Sequence, residues 1–176
     1  YNLREIHDRM RTRPLTMFST NAGCSFIYHT YMNLGYSIDR FYSVEKDPKC
    51  RTVADQFIPS GILHHVDPHD TCEVAKKTEM LDAIGSVDVF QDSSPCQPYS
   101  TLSDGPRQWN GIIRPPGMGP MGFDDTRSMP FKCAAIIRRR LLYNNPYMKT
   151  LAENVDPLYK LKGILGEWEK MFDGPW

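Results

Sequence analysis

Leu15-Thr16-Met17-Phe18-Ser19-Thr20-Asn21-Ala22-Gly23-Cys24 is the stretch whose reading decides the fold class. Leu15 to Ser19 is a short apolar-rich run and predicts a strand. Cys24 to Leu34 predicts a helix, with Gly35 placed to cap it. Between them lies a strand-to-helix turn, where backbone amides and a helix N-terminus can approach a ligand.

The same alternation repeats outward from this unit. Ile38 to Val44 alternates and carries aromatics, as a second strand does. Asp47 and Pro48 open a helix as N-cap and first helical residue, and that helix runs to about Phe57. Ile62 to Val66 predicts a third strand. Thr71 predicts the cap of a helix to about Ile84, stopped by Gly85. Val87 to Gln91 predicts the fourth strand, Thr126 to Tyr143 a long helix, and Tyr147 to Ala152 a fifth strand. An Arg-rich helix over residues 3–11 precedes Pro14. A final amphipathic helix starts at Asp156-Pro157 and runs through about Met171, with Leu158, Leu161, Leu165, Trp168 and Phe172 as its core side.

Strands alternating with helices predict an α/β fold: a Rossmann-like, doubly wound, mostly parallel sheet with helices on both faces. Such sheets bind ligands at the carboxyl ends of their strands, at a topological switch point. Gly105 to Gly122 holds five glycines and four prolines in eighteen residues, and predicts a loop without regular structure.

Composition sets bounds on these expectations. The chain has 176 residues, 40% apolar and 11% aromatic, and a formal net charge of zero. That is enough for one domain with a real core. No apolar run reaches membrane-spanning length and no signal-peptide h-region opens the chain, which predicts an intracellular protein without a membrane partner. Cys24, Cys50, Cys72, Cys96 and Cys133 are an odd number with no CxxC pair, so neither a disulfide framework nor a zinc site is expected. His64, His65 and His69 form a cluster, but neighbours on a strand point to opposite faces, so no metal site is expected. Arg138-Arg139-Arg140 predicts a solvated helix face with its aliphatic stems on the sheet.

Three residue groups at predicted strand ends can carry cofactor chemistry. The first is the Phe18-Ser19-Thr20 turn with Gly23. The second is Glu45-Lys46, whose acid suits both hydroxyls of a ribose. The third is Asp67-Pro68, whose acid suits an adenine amine or simply a turn before proline. Two further groups can carry reaction chemistry. Ser94-Pro95-Cys96-Gln97-Pro98-Tyr99 places a thiol at the mouth of a turn, and Glu153-Asn154-Val155 follows the fifth strand. A cysteine is a nucleophile as its thiolate, with an ordinary pKa of about 8.5. A carboxyl group nearby suits protonation of an electron-poor ring as it is attacked.

The order of these pieces resembles the cytosine-5 DNA methyltransferase family, which uses S-adenosylmethionine. The resemblance covers about Leu15 to Val155. It rests on the three cofactor groups, on Pro95-Cys96-Gln97, on Gly122-Phe123-Asp124-Asp125-Thr126-Arg127 before a helix, and on Leu151-Ala152-Glu153-Asn154-Val155. It implies the S-adenosylmethionine-dependent methyltransferase fold. Phe18, Ser19, Thr20, Gly23, Glu45, Lys46, Asp67, Pro68 and Pro95 would serve the cofactor. Cys96 would attack carbon 6 of a flipped cytosine, Glu153 would assist at ring nitrogen 3, and Arg127 and Asn154 would support them. Residues 105–122 would form the catalytic loop.

The resemblance has gaps. Thr20 stands where the family has its first glycine, and a side chain there can crowd a ligand that backbone must approach. Asp92 and Ser93 precede the Pro-Cys pair, where negative charge opposes a thiolate. Only twenty-two residues follow Asn154, and they contain no Gln-x-Arg-x-Arg strand and no target-recognition domain. The expectation is therefore one methyltransferase-like domain over residues 1–176, truncated. It would be a fragment, half of a split enzyme completed by a second polypeptide, or a shortened, non-catalytic subunit of a larger assembly. DNA is the expected partner with RNA open, and the nucleus the expected location in a eukaryote.

Overall fold

The computed structural model describes residues 8, 11–94, 128–153, 166 and 170, and the backbone of 108–109 and 112–113. Five strands form one parallel sheet: β1 (Leu15–Thr20), β2 (Ile38–Val44), β3 (Leu63–His65), β4 (Val89–Asp92) and β7 (Lys149–Ala152). Their spatial order is β3-β2-β1-β4-β7. Helices α1 (Phe26–Asn33), α2 (Pro48–Phe57), α3 (Thr71–Val74), α4 (Thr78–Ile84) and α5 (Met129–Asn144) fill the crossovers. This is a Rossmann-like α/β topology. The chain steps outward from β1 to β2 to β3, then returns to lay β4 against the other side of β1. The order in which the chain adds strands reverses there, which puts a topological switch point between β1 and β4.

Successive residues of a strand face opposite sides, and the sheet uses both. All six residues of β1 are buried. Leu15 and Met17 join Phe41, Val89, Tyr28 of α1 and Ala54 of α2 in one core. Phe18 joins Val44, Phe90, Val74, Leu81, Phe131 and Ile137 in the other, under α3, α4 and α5. Phe18 stacks on Tyr42 and Phe90, each at 6.2 Å between ring centres. Burying each such ring contributes about 1.5–3 kcal/mol.

Local chemistry explains where the elements begin. Asp47 caps α2 by accepting from the Lys49 N–H at 2.8 Å, with Pro48 in the first turn. Helix α1 starts at Phe26 rather than Cys24, because Asn21, Gly23 and Ser25 hold positive φ of 52°, 55° and 60°. The helix expected from Thr71 to Ile84 is two helices. Asp70, not Thr71, caps the first by accepting from the Cys72 and Glu73 N–H groups. Gly85 ends the second at φ 78°. Strand β4 starts two residues late, where the Asp88 carboxylate takes the Thr16 N–H and the Arg13 guanidinium instead.

Two further expectations need correction. The Gly105–Gly122 segment is not wholly irregular: β5 (Gln108–Trp109) pairs antiparallel with β6 (Ile112–Ile113). Arg138 does not face solvent. It is 2% exposed, and its Nε donates to Thr150 Oγ1 at 2.7 Å. Arg139 is exposed and Arg140 pairs with Asp82. The helices expected over 3–11 and 156–171 lie outside the described residues, apart from Asp8, Arg11, Gly166 and Lys170, which are helical. Among the described residues no helix is long and apolar enough to cross a membrane.

Candidate functional site

A cavity of about 340 Å³ lies at the carboxyl end of the sheet. Asn21 from the β1 turn and Ser93 from the β4 turn line it on the switch-point side. Glu45 and Lys46 enter after β2, His69, Asp70 and Thr71 between β3 and α3, and Pro130 from α5. The volume falls within the range of about 300–1,000 Å³ for small-molecule pockets.

Glu45 is tied to the walls of this cavity. Its Oε2 accepts from the Gly23 N–H at 2.7 Å, and its Oε1 accepts from the Asp47 N–H at 2.7 Å. One carboxylate thus joins the β1–α1 turn to the start of α2. Gly23 sits at φ 55° with nothing within 4 Å of where a Cβ would stand, so backbone conformation rather than crowding favours glycine there. Lys46 Nζ donates to Asp70 Oδ2 at 3.0 Å, which raises the ammonium pKa. Burial pushes the Asp70 carboxyl up, but Lys46 and the Cys72 and Glu73 N–H groups outweigh it and hold it below the usual carboxylate range. His69 Nδ1 lies 2.9 Å from the Val66 carbonyl, which can only accept, so that nitrogen donates.

Beneath the cavity floor is a carboxyl group with no place in the sequence-based site. Asp92 ends β4 and is 1% exposed. Its Oδ1 accepts from Thr20 Oγ1 at 2.7 Å, Asn21 Nδ2 at 3.0 Å and Ser94 Oγ at 3.0 Å. Burial raises its pKa to about 6, against the pull of those three donors. Asn21 Nδ2 also donates to Ser94 Oγ at 3.0 Å, and Thr71 Oγ1 donates to Asn21 Oδ1 at 3.2 Å. The network spans the β1 turn, the β4 turn and the start of α3.

The expected cofactor residues within the described part of the chain divide into four groups. Glu45 and Lys46 line the cavity. Phe18, Ser19 and Thr20 are fully buried: Phe18 in the core, Ser19 hydrogen-bonded to Gln91, and Thr20 turned down onto Asp92. The Thr20 side chain therefore does not project into the cavity. Gly23 holds Glu45. Asp67 is exposed and Pro68 half-buried, and neither lines the cavity. His69 and Asp70, two and three residues on, do.

Pro95, Cys96, Arg127 and Asn154 lie outside the described residues. Glu153 follows β7 at the same end of the sheet, and its N–H donates to the Asp92 carbonyl at 3.1 Å. Ser93 and Ser94, beside it, lead in sequence to Pro95-Cys96. Of the other cysteines, burial and the neighbouring Cys24 push the Cys50 thiol up to about 11, and burial and Cys133 push Cys72 up to about 12. Both stay protonated near neutrality and make poor nucleophiles. His64 stacks on Tyr42 and His65 bonds Asp55 at 2.9 Å. No group of three or more His, Cys, Asp or Glu able to hold a metal ion occurs among the described residues.

No protein-family model matches the chain, and no curated protein matches it.

Proposed function

We propose that this chain is the catalytic lobe of a cytosine-5 methyltransferase that acts on DNA and uses S-adenosylmethionine. The observation that carries the proposal is the cavity at the switch point. It has an acid, Glu45, at the end of β2 on one side and, on the other, Ser93 leading to Pro95-Cys96. The ordered sequence resemblance supplies the chemistry.

The residues present fit the cofactor. Glu45 spends one acceptor position of each oxygen on backbone N–H groups, and each oxygen retains a further lone pair for a ribose hydroxyl. Thr20 is buried and does not line the cavity, so its side chain leaves that space clear, while Asn21 from the same turn lines it. Asn21, His69 and Asp70 add polar contacts. S-adenosylmethionine supplies an electrophilic methyl group when bound.

The chain's own residues do the rest. The Cys96 thiolate forms a bond to carbon 6 of a cytosine drawn out of its stack, and carbon 5 becomes nucleophilic enough to take the methyl group. Loss of the carbon 5 proton to a base then breaks the sulfur–carbon 6 bond and returns the thiolate. Glu153 donates to ring nitrogen 3 as electron density builds there. Arg127 and Asn154 support the pocket. The test is transfer of labelled methyl from S-adenosylmethionine to DNA, with RNA in parallel and any completing polypeptide supplied. Label in 5-methylcytosine, lost in Cys96→Ser, is expected. No label in either nucleic acid overturns the proposal.

One observation favours a second reading, a non-catalytic interaction module on the same scaffold. Both Glu45 oxygens are already engaged by the protein's own backbone. That reading requires no S-adenosylmethionine binding by calorimetry, and micromolar binding removes it.

A further inference from the structure

An acid just before the Pro-Cys pair looks adverse in the sequence, because its charge opposes a thiolate. Its placement gives it another role. Asp92 pairs in register with Thr20 across the β1–β4 ladder, so the two turns leave the sheet side by side. Its side chain then holds both. Thr20 and Asn21 belong to the β1 turn, Ser94 to the β4 turn, and all three donate to the same oxygen. Hydrogen bonds to an ionised acceptor are roughly twice as strong as neutral ones.

The consequences reach the cavity. Asn21 lines it and is kept at φ 52°, a conformation uncommon outside glycine, with its side chain fastened to Asp92 and Ser94. Thr71 lines it and is fastened to Asn21. Ser93 lines it, and its N–H donates to the Thr20 carbonyl at 3.2 Å. Three lining residues from three segments thus hang on one buried carboxylate.

We propose that Asp92 is a positioning residue: its carboxylate sets the β1 turn and the β4 turn as one unit, so that the cavity and residues Ser93 and Ser94 are ordered together. The inference rests on the methyltransferase reading for what the two turns carry. It does not rest on it for the coupling.

Burial leaves this carboxyl titrating at about 6, so the coupling weakens as pH falls through that value. The titratable and charged groups on the surrounding segments are Glu45 and Lys46 after β2, His69, Asp70, Cys72 and Glu73 around α3, Cys133 on α5, Asp88 at the start of β4 and Glu153 after β7. None of them contributes a leading cause of the shift, which is burial opposed by Thr20, Ser94 and Asn21.

The experiment is an amide NMR titration of the whole chain from pH 7.5 to 5, alongside S-adenosylmethionine affinity over the same range. The amides of Asn21 and Ser94 are expected to shift with one common midpoint near 6, and to stay flat in Asp92→Asn, which keeps an acceptor but loses the titration. Ser94→Ala, which removes one donor without touching the carboxylate, should shift the Asn21 amide from the other turn. Cofactor affinity should fall at least threefold between pH 7 and 5 in the wild type and not in Asp92→Asn. Independent midpoints, a titration that survives Asp92→Asn, or an affinity profile unchanged by it would overturn the inference. If no cofactor binds while the two amides still titrate together, the coupling stands and the methyltransferase reading falls.

Discussion

Thr20 and Asp92, opposite each other on neighbouring parallel strands, meet through a 2.7 Å hydrogen bond in which the hydroxyl donates and the carboxylate accepts. Both side chains are buried. The pair joins the residue that departs from the methyltransferase glycine pattern to the acid that departs from the Pro-Cys pattern. Thr20 and Asp92 thus supply each other with a partner, and the two residues act together.

Replacing Thr20 by glycine is therefore not expected to tighten S-adenosylmethionine binding. It removes a buried donor to a charged acceptor and adds backbone freedom, which together cost about 2–3 kcal/mol. Urea denaturation should show that loss, and calorimetry should show cofactor affinity no tighter than wild type. A tenfold gain in affinity would mean that the Thr20 methyl or hydroxyl does crowd the ligand.

Asp92 makes the stability of the protein depend on pH with a definite sign. Its folded pKa, about 6, lies above the ordinary carboxylate value. Between about pH 4 and 6 the folded state binds more protons than the unfolded chain, so this group's contribution to stability rises as pH falls through that window. Above pH 6 the burial penalty is fully present, at about 3 kcal/mol from the size of the shift. Asp92→Asn should then be more stable than wild type at pH 7.5, by about 1–3 kcal/mol, and the advantage should vanish by pH 4. Chemical denaturation at several pH values measures it. A variant less stable than wild type at pH 7.5 would show that the three hydrogen bonds outweigh burial.

Glu45→Ala should lower both stability and affinity. Two backbone N–H groups, of Gly23 and Asp47, lose their acceptor, at a cost of about 1–2 kcal/mol. On the proposed reading of Glu45 as the ribose partner, S-adenosylmethionine affinity should drop at least tenfold by calorimetry. Unchanged affinity would remove Glu45 from the cofactor site.

The fold was legible wherever local chemistry and tertiary packing agree. Asp47-Pro48 marks a helix start by capping and by the fixed φ of proline, and α2 begins there. Ile38 to Val44 carries the aromatic and β-branched residues of a strand and β2 spans those residues, although Asp39 and Arg40 are both exposed and Ser43 and Val44 both buried, so its burial does not alternate strictly. The break between α3 and α4 was not legible, since no glycine or proline marks it. The short β5–β6 pairing was hidden among glycines and prolines that read as loop.

The candidate site was legible at Glu45 and Lys46, acid and base closing a strand, and much less so elsewhere. Phe18 lies on a strand buried from both sides, and alternation sends it to the core while the turn beyond carries the lining residue, Asn21. His69 and Asp70 were masked by the Asp67-Pro68 turn just before them, although the Asx cap at Asp70 was a signal in the sequence. Asp92 could not be read at all without register. Its donors stand 72, 71 and 2 residues away, and only the parallel pairing of β1 with β4 brings them together.

The central claim, that Cys96 attacks a cytosine held beside the switch-point cavity, is tested most directly by a covalent trap. The chain, with any completing polypeptide, is incubated with 5-fluorocytosine DNA and S-adenosylmethionine, and the products are separated under denaturing conditions. A protein–DNA adduct that requires the cofactor and disappears in Cys96→Ser is the predicted result. Cofactor binding with no adduct, or an adduct that persists in Cys96→Ser, would contradict it.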